Sequence, residues 1–181
     1  MASVSAFGYC ERLDDDEYAD DYGPCARTYA SLNAYNETGH YAAVTESLAV
    51  EPTGAHDAGD TSRLINGEAR DTGRPCTKSF WSISTERRVA SRDARRHVDH
   101  LLELLDGKGE HLRTLREAGW RFRVSIFWES KYGHGGPILG PQTMRRLAEL
   151  ELEIWFDCYY LDRESDPPEV EGHPDWRPLK L

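Results

Sequence analysis

One stretch decides the fold of this chain: Trp120-Arg121-Phe122-Arg123-Val124-Ser125-Ile126-Phe127-Trp128. Its even-numbered residues are all large and apolar, whereas Arg121, Arg123 and Ser125 occupy odd positions. Successive side chains of a β-strand point to opposite faces of the sheet, so this alternation predicts a strand with one buried face and one polar face. Such a strand needs a second layer of structure to cover its apolar side.

A glycine-rich loop follows this strand: Phe127-Trp128-Glu129-Ser130-Lys131-Tyr132-Gly133-His134-Gly135-Gly136-Pro137-Ile138-Leu139-Gly140. Glycine accommodates backbone angles with φ > 0, so the three glycines around His134 allow a tight change of direction. Pro141 then begins a helix, because proline is a common first helical residue. The loop has two interpretations. Its N–H groups could form a nest that binds an anion, or it could be a rigid turn in which His134 makes only local hydrogen bonds.

Three more strands and four helices complete the predicted fold. Alternation predicts strands at 26–35, 80–85 and 152–160, and helical spacing predicts helices at about 39–49, 91–105, 112–118 and from Pro141. This mixture predicts an α+β fold. We expect a ferredoxin-like sandwich of two β-α-β halves with inserted helices, on a mixed or antiparallel sheet of about four strands. Cys158 falls on the apolar face of the last strand, as a small core residue.

The composition divides the chain into three parts. Residues 1–24 hold a dense acidic run, which predicts a flexible acidic arm that folding does not require. Residues 25–161 form a single α+β domain, and residues 162–181 form an extended Pro-rich tail. Within the domain, residues 51–79 lack apolar periodicity, so they are interpreted either as a functional loop or as a disordered connection.

The helix predicted at about 91–105 carries a cluster of arginines. Arg92 and Arg95 are expected to face water, opposite a stripe of leucines. His97 and His100 lie three residues apart, a spacing that zinc sites use. Because no third ligand is indicated, we expect a solvated helix face and no metal.

The overall composition limits the class of partner. A chain of 181 residues suffices for one domain, and its net charge of −10 repels nucleic acid and attracts basic partners. No apolar run is long enough to span a bilayer, and the N-terminus does not resemble a signal peptide. We therefore expect a cytoplasmic protein without nucleic-acid or membrane partners. Its four cysteines form no C-x-x-C pair and are expected to be free thiols.

Several short motifs together resemble an uncharacterised bacterial family, the domain of unknown function 4279. The motifs are Glu51-Pro52-Thr53, Trp81-Ser82-Ile83-Ser84, Phe127-Trp128 with Gly133-His134-Gly135-Gly136-Pro137, and Leu147-Ala148-Glu149-Leu150 through Asp157-Cys158-Tyr159-Tyr160. The resemblance extends from Arg27 to Leu161. It implies that these residues belong to one domain, and it implies no activity.

The polar face of the predicted sheet gathers aromatic and basic side chains, namely Tyr29, Arg121, Arg123, Trp155 and Tyr159. RNA-recognition folds use such a platform to stack bases. The acidic net charge opposes phosphate binding, and cross-strand pairs between these arginines and nearby carboxylates explain the same residues more simply.

The sequence favours a non-catalytic acidic protein-binding module of the inhibitor, immunity or adaptor type, with a basic protein as its partner and no cofactor. The alternative is a small-ligand or anion-binding protein, or an enzyme, centred on His134 with Arg87 or Arg88 as a counter-charge. No nucleophile, carboxylate pair or metal site is indicated. The candidate binding residues are Arg121, Arg123, Trp128, Lys131, Tyr132, His134, Gly135, Gly136, Trp155 and Tyr159.

Overall fold

A computed structural model describes residues 17–61 and 75–160. Within them the chain forms five strands: β1 (Cys25–Asn36), β2 (Gly54–His56), β3 (Ser79–Ser84), β4 (Arg121–Ser130) and β5 (Glu153–Tyr160). Four helices accompany them: α1 (Ala42–Leu48), α2 (Ala94–Leu104), α3 (Gly109–Glu117) and α4 (Pro141–Glu149). The predicted α+β class is confirmed. Most of the acidic run and the whole Pro-rich tail lie outside the described residues.

The strands form one sheet in the order β2-β3-β1-β4-β5. β1 is antiparallel to both of its neighbours, whereas β5 runs parallel to β4. A parallel pair requires a crossover connection, and α4 lies in the connection between β4 and β5. The second predicted β-α-β half is therefore present. The first is not, because β1 and β3 are antiparallel, so the ferredoxin-like sandwich is not confirmed.

The sheet also has five strands rather than about four. The additional strand, β2, lies within residues 51–79, where no regular structure is predicted. β2 has only three residues, Gly54, Ala55 and His56, which is too short for a pattern of alternation to be recognised. Its pairing with β3 holds it at the sheet edge. Residues 62–74 of that segment lie outside the described residues.

The predicted alternation of β4 is confirmed. Phe122, Val124, Ile126 and Trp128 are each no more than 5% exposed, whereas the odd-numbered residues of β4 are exposed or partly exposed. The buried face joins a single core with β1, β3 and the apolar stripe of α2. Burying large apolar side chains contributes about 1.5–3 kcal/mol each, so this face supplies much of the driving force for folding.

One face of α2 is buried where a solvated face is predicted. Arg95 is 2% exposed and His97 is 1% exposed. Arg95 forms a buried ion pair with Asp93, whose side chain also caps the helix by accepting a hydrogen bond from the Arg95 backbone N–H. The expectation that these side chains face water is wrong: the Arg95 guanidinium donates to the Glu17 carbonyl of a preceding segment that lies across the helix, and the His97 ring is enclosed by Thr85 and Ser91.

That segment is residues 17–24, the only described part of the predicted acidic arm. The Tyr18 hydroxyl donates to Asp99 Oδ2 at 3.1 Å, and the Ala19 N–H donates to Asp93 Oδ2 at 2.9 Å. Asp20 pairs with Arg96, and Asp21 pairs with Arg92. These eight residues are therefore docked on the domain, because Arg96 of α2 and Arg92 just before it pair with two of their acidic side chains.

The predicted buried face of β5 is only partly covered. Phe156 is 48% exposed, Tyr160 is 53% exposed, and Cys158 is partly exposed rather than a core residue. β5 is the last strand of the sheet, so its side chains have neighbours in the sheet on one side only. None of the helices in residues 17–61 and 75–160 has the length and apolar character needed to cross a bilayer.

Candidate functional site

The sheet face opposite the core is the first candidate surface, and we call it the open face. The strand register brings together Phe80, Ser82 and Ser84 of β3; Tyr29, Ser31, Asn33 and Tyr35 of β1; Arg121, Arg123, Ser125, Phe127 and Glu129 of β4; and Glu153, Trp155, Asp157 and Tyr159 of β5. Four of the candidate binding residues, Arg121, Arg123, Trp155 and Tyr159, therefore share one face, as the sequence predicts.

The centre of the open face is a strip of small polar side chains. The Ser82 hydroxyl donates to Asn33 Oδ1 at 2.7 Å, and Asn33 Nδ2 donates to the Ser125 hydroxyl at 2.9 Å. Asn33 and Ser82 are almost fully buried. Their hydrogen-bonding groups satisfy one another, so this strip links three strands and separates the aromatic side chains on either side of it.

One aromatic group crosses β1, β4 and β5. The rings of Tyr29 and Phe127 stack with centroids 4.7 Å apart, and Phe127 contacts Tyr159 at 5.3 Å. The Arg27 guanidinium lies 5.4 Å from the Tyr29 ring centroid and also pairs with Glu86. Burial raises the pKa of Tyr29, so its hydroxyl remains protonated well above neutral pH. This group is a stacked apolar surface and offers no titratable catalyst.

The outermost row of the open face alternates acidic and aromatic residues: Glu153, Trp155, Asp157 and Tyr159. Trp155 is 55% exposed and Tyr159 is 50% exposed. The Arg123 guanidinium lies 5.2 Å from the Trp155 ring and donates from Nε to Glu153 at 2.8 Å. Asp157 forms no ion pair with any described residue, so the row retains negative charge between its exposed rings.

The glycine-rich loop is organised around one hydroxyl group. Ser130 Oγ accepts hydrogen bonds from the N–H groups of Tyr132 and His134 at 3.3 and 3.0 Å, and donates to the His134 carbonyl at 2.7 Å. The imidazole Nδ1 of His134 lies 3.0 Å from the Tyr132 carbonyl, to which its N–H donates. The N–H groups of Tyr132 and His134 are therefore already bonded inside the loop and are not available to an anion, which favours the rigid turn.

The remaining loop residues differ in accessibility. Trp128 is fully buried, so its side chain is not available for a surface contact, and its indole Nε1 has no hydrogen-bond partner among the described residues. Lys131 and Tyr132 are exposed, with the ammonium 5.4 Å from the ring. Gly135 adopts φ +93°, and its carbonyl accepts a bond from the Tyr160 hydroxyl at 3.3 Å. That bond connects the loop with the end of β5.

The clefts beside α1 and beside α2 contain none of the candidate binding residues. One of them places Arg88 beside Tyr18, Arg96 and His100. Arg88 therefore contributes to a cleft along α2, which is a different surface from the open face. The candidate site is a broad surface rather than an enclosed pocket, and such a surface suits a macromolecule better than a small molecule.

Metal ligation and nucleophilic attack depend on the histidine, cysteine and carboxylate side chains of the described residues. No cluster of three or more His, Cys, Asp or Glu residues among them is arranged to hold a metal ion. The His97 ring is held on both sides, by the Thr85 hydroxyl at 2.7 Å and the Ser91 carbonyl at 3.0 Å. Cys25, Cys76 and Cys158 are free, and burial raises the pKa of Cys25 to about 12, so this thiol is a poor nucleophile.

Two parts of this surface are not among the candidate residues predicted from sequence. Phe127 belongs to the aromatic group at the open face. It stands at an odd-numbered position of β4, where the other residues are polar, so its apolar ring indicates an apolar patch on the exposed side. Asp157 is one of the carboxylates near these arginines in the predicted sheet, and it forms no ion pair with the described residues, which depends on three-dimensional placement.

Family membership follows from the sequence match. Residues 26–161 match the family described as Domain of unknown function (DUF4279). The chain belongs to this family. No curated protein and no solved structure shows significant similarity to it. The resemblance inferred from the sequence motifs is thus confirmed, and because the DUF4279 family has no assigned activity, function has to be argued from the surface of the domain.

Proposed function

We propose that this DUF4279 domain is a non-catalytic protein-binding module that recognises a basic partner through the β5 side of its open face. The observation that carries the proposal is the alternating row of acidic and aromatic residues along β5, Glu153, Trp155, Asp157 and Tyr159. Inhibitor, immunity and adaptor roles against basic proteins all fit such a surface.

The chemistry of this row suits lysine and arginine side chains. An exposed aromatic ring attracts a cation to its face by about 0.5–1 kcal/mol, and more when the pair loses water. Trp155 already makes such a contact with Arg123 of its own chain, which supports its ability to hold a second cation. Asp157 and Glu129 form no ion pair with described residues, so they leave negative charge for a partner.

The rest of the molecule strengthens the attraction. A net charge of −10 steers basic proteins toward the domain and raises their rate of association, an effect that salt weakens. Large exposed aromatic side chains are typical anchors at the centre of protein interfaces. The glycine-rich loop is held at the end of β5 by the bond from Tyr160 to Gly135, on the side of the sheet opposite the open face, so it is not part of the proposed binding surface.

The proposal can be tested by titrating the isotope-labelled protein with decalysine and recording the NMR signals of its backbone. We expect shifts concentrated on β4 and β5, and affinities about two- to fivefold weaker for Trp155→Ala and for Asp157→Asn, because a lost ring or charge contact is worth about 0.5–1 kcal/mol. Glu117→Gln is the matched control: it removes an exposed charge from α3, away from the open face. Equal weakening by Asp157→Asn and Glu117→Gln, with none by Trp155→Ala, would reduce the effect to net charge and refute the proposed site.

Inorganic phosphate in the same titration tests the anion-binding alternative. The N–H groups of Tyr132 and His134 are bonded to Ser130, so we expect no saturable shift in the loop at residues 131–136. A saturable shift confined to this loop, together with no response to decalysine, would favour a small-anion protein centred on His134 instead.

A further inference from the structure

β5 is the last strand on its side of the sheet, and only one of its edges is paired. No backbone hydrogen bond joins its outer edge to any residue in 17–61 or 75–160. A strand edge of this kind presents a row of N–H and C=O groups that can pair with another extended segment. With eight residues, β5 is long enough to hold such a segment over several hydrogen bonds.

Both faces of β5 remain exposed along this edge. The open face presents the acidic and aromatic row, whereas the other face presents Phe156 and Tyr160, each about half exposed. A segment paired with β5 would have its own side chains alternating between these two environments. One side of it would meet carboxylates and ring faces, and the other side would meet apolar rings.

We infer that the domain binds its partner by strand addition: an extended segment of a basic protein pairs with the outer edge of β5. This inference rests on the proposed function and specifies how the same surface is used. The segment carries lysine or arginine at every second position and apolar residues between them. Its basic side chains lie over the open face, and its apolar side chains pack against Phe156 and Tyr160.

The spacing of the row defines this partner more closely. Glu153 and Asp157 lie four residues apart on one face, which is about 13 Å at the usual rise of about 3.3 Å per residue. Two basic residues of the partner separated by three others match Asp157, which forms no ion pair with a described residue, and Glu153, which the partner would share with Arg123. A third basic residue halfway between them meets Trp155. Peptide recognition by strand addition uses this same combination of backbone pairing and alternate side-chain contacts.

Charge separates a basic partner from a second copy of this chain. A second copy has the same net charge of −10, and pairing through its own β5 would bring its carboxylates close to the same acidic row. The chain's own residues 161–181 are also poorly suited in composition. They contain four prolines, which cannot donate a backbone hydrogen bond, and twice as many acidic as basic residues.

The experiment measures binding of the full chain to a fluorescent peptide of alternating lysine and valine, matched in length to β5, by fluorescence anisotropy. A block isomer with the same residues sorted into one lysine run and one valine run controls for charge and composition. Two further peptides carry N-methyl groups on the backbone nitrogens of either the lysines or the valines. The backbone groups of alternate residues in a strand point to opposite edges, so each of these two peptides lacks hydrogen-bond donors along one edge only.

We expect the alternating peptide to bind at least about tenfold more tightly than the block isomer, which is about 1.4 kcal/mol. One N-methylated peptide should bind about tenfold more weakly than the parent peptide, and the other should bind with the affinity of the parent. In hydrogen exchange, alternate β5 amides should become protected when the parent peptide or the N-methylated peptide that binds equally well is present, and not in the free chain.

Three outcomes would overturn strand addition. Equal binding by the parent and both N-methylated peptides would leave only side-chain recognition, and the proposed function would stand if decalysine still binds at the open face. Protection of the β5 edge in the free chain would show that a second copy or residues 161–181 already occupy it. Failure of decalysine and of every basic peptide to bind would refute the proposed function itself.

Discussion

Ser130 fixes the conformation of the glycine-rich loop through a single side chain. Its hydroxyl accepts from two backbone N–H groups and donates to one carbonyl, so the loop closes on itself within five residues. The closure requires φ of +71° at Gly133 and +93° at Gly135. Gly136 has no such requirement, which provides a comparison between two adjacent glycines.

Gly135→Val should therefore destabilise the domain, whereas Gly136→Val should have little effect. A side chain at a positive φ costs about 1–2 kcal/mol, and a Cβ at residue 135 would also lie 3.3 Å from the Pro24 side chain. A Cβ at residue 136 would meet nothing within 4 Å. Urea unfolding of the two variants measures the difference, and equal midpoints would contradict the assignment of strain to residue 135.

Phe127 and Trp128 show what a sequence reveals at the scale of single residues. They are adjacent and similar in size, but Trp128 is fully buried and Phe127 stacks on Tyr29 at the open face. Alternation predicts the burial of Trp128 correctly, because it depends only on the period of a strand. Because Trp128 is buried, its side chain cannot contact a partner at the surface. The stacking of Phe127 depends on which strand lies beside it, and residue spacing carries no such information.

At the scale of elements, α2 depends on polar groups inside the fold. The Asp93 side chain caps the helix, pairs with Arg95 and accepts a hydrogen bond from the Ala19 N–H. His97 joins the helix to the residue that follows β3, since Thr85 bonds both to the imidazole and to the backbone of Ala30. A buried polar group is costly when unpaired, so each of these bonds helps to fix how the helix sits on the sheet.

His97 should make stability depend on pH. Burial lowers the pKa of His97, with Asp93 opposing the shift and His100 and Arg96 adding to it, so the folded state holds a neutral imidazole. The unfolded chain binds a proton below its usual pKa of about 6.5, so stability is full above that pH and falls as the pH decreases through it. Melting temperatures measured on both sides of this pH test the effect. His97→Gln should flatten the dependence, and an unchanged slope would show that other groups cause it.

The elements differ in how well the sequence predicts them. All four helices and four of the five strands follow from apolar periodicity, and Pro141 and Gly119 mark helix ends as expected. Apolar periodicity does not predict the directions of the strands. A connection that contains a helix can join either an antiparallel pair or a parallel pair. For this reason the α+β class is confirmed, whereas the ferredoxin-like arrangement is not. β2 was missed because three residues cannot display a period.

At the scale of the whole molecule, part of the excess negative charge is neutralised by ion pairs within the chain. The acidic segment 17–24 lies on the arginine cluster of α2 through Asp20 and Asp21. Both clusters are visible in the sequence. Repulsion within the acidic run alone predicts a flexible arm, and the distant arginines that pair with it are not apparent from sequence spacing. The Tyr22 ring also lies 5.7 Å from that of Trp128, so the segment covers part of the core as well as the charges.

Deletion of residues 1–22 should consequently lower the unfolding free energy by at least about 2 kcal/mol, since a hydrogen bond to a charged group contributes about 1.5–3 kcal/mol. The deletion removes the partners of Asp93, Arg92 and Arg96 in this segment and uncovers Trp128. Deletion of residues 1–16 is the matched control, because it preserves these contacts and should leave the urea midpoint nearly unchanged. High salt should reduce the difference in unfolding free energy between the two truncated proteins, because it screens the exposed ion pairs but not the buried hydrogen bonds. Equal midpoints for both truncations at low salt would mean that the docked segment adds no stability, and the acidic run would then be a dispensable arm throughout.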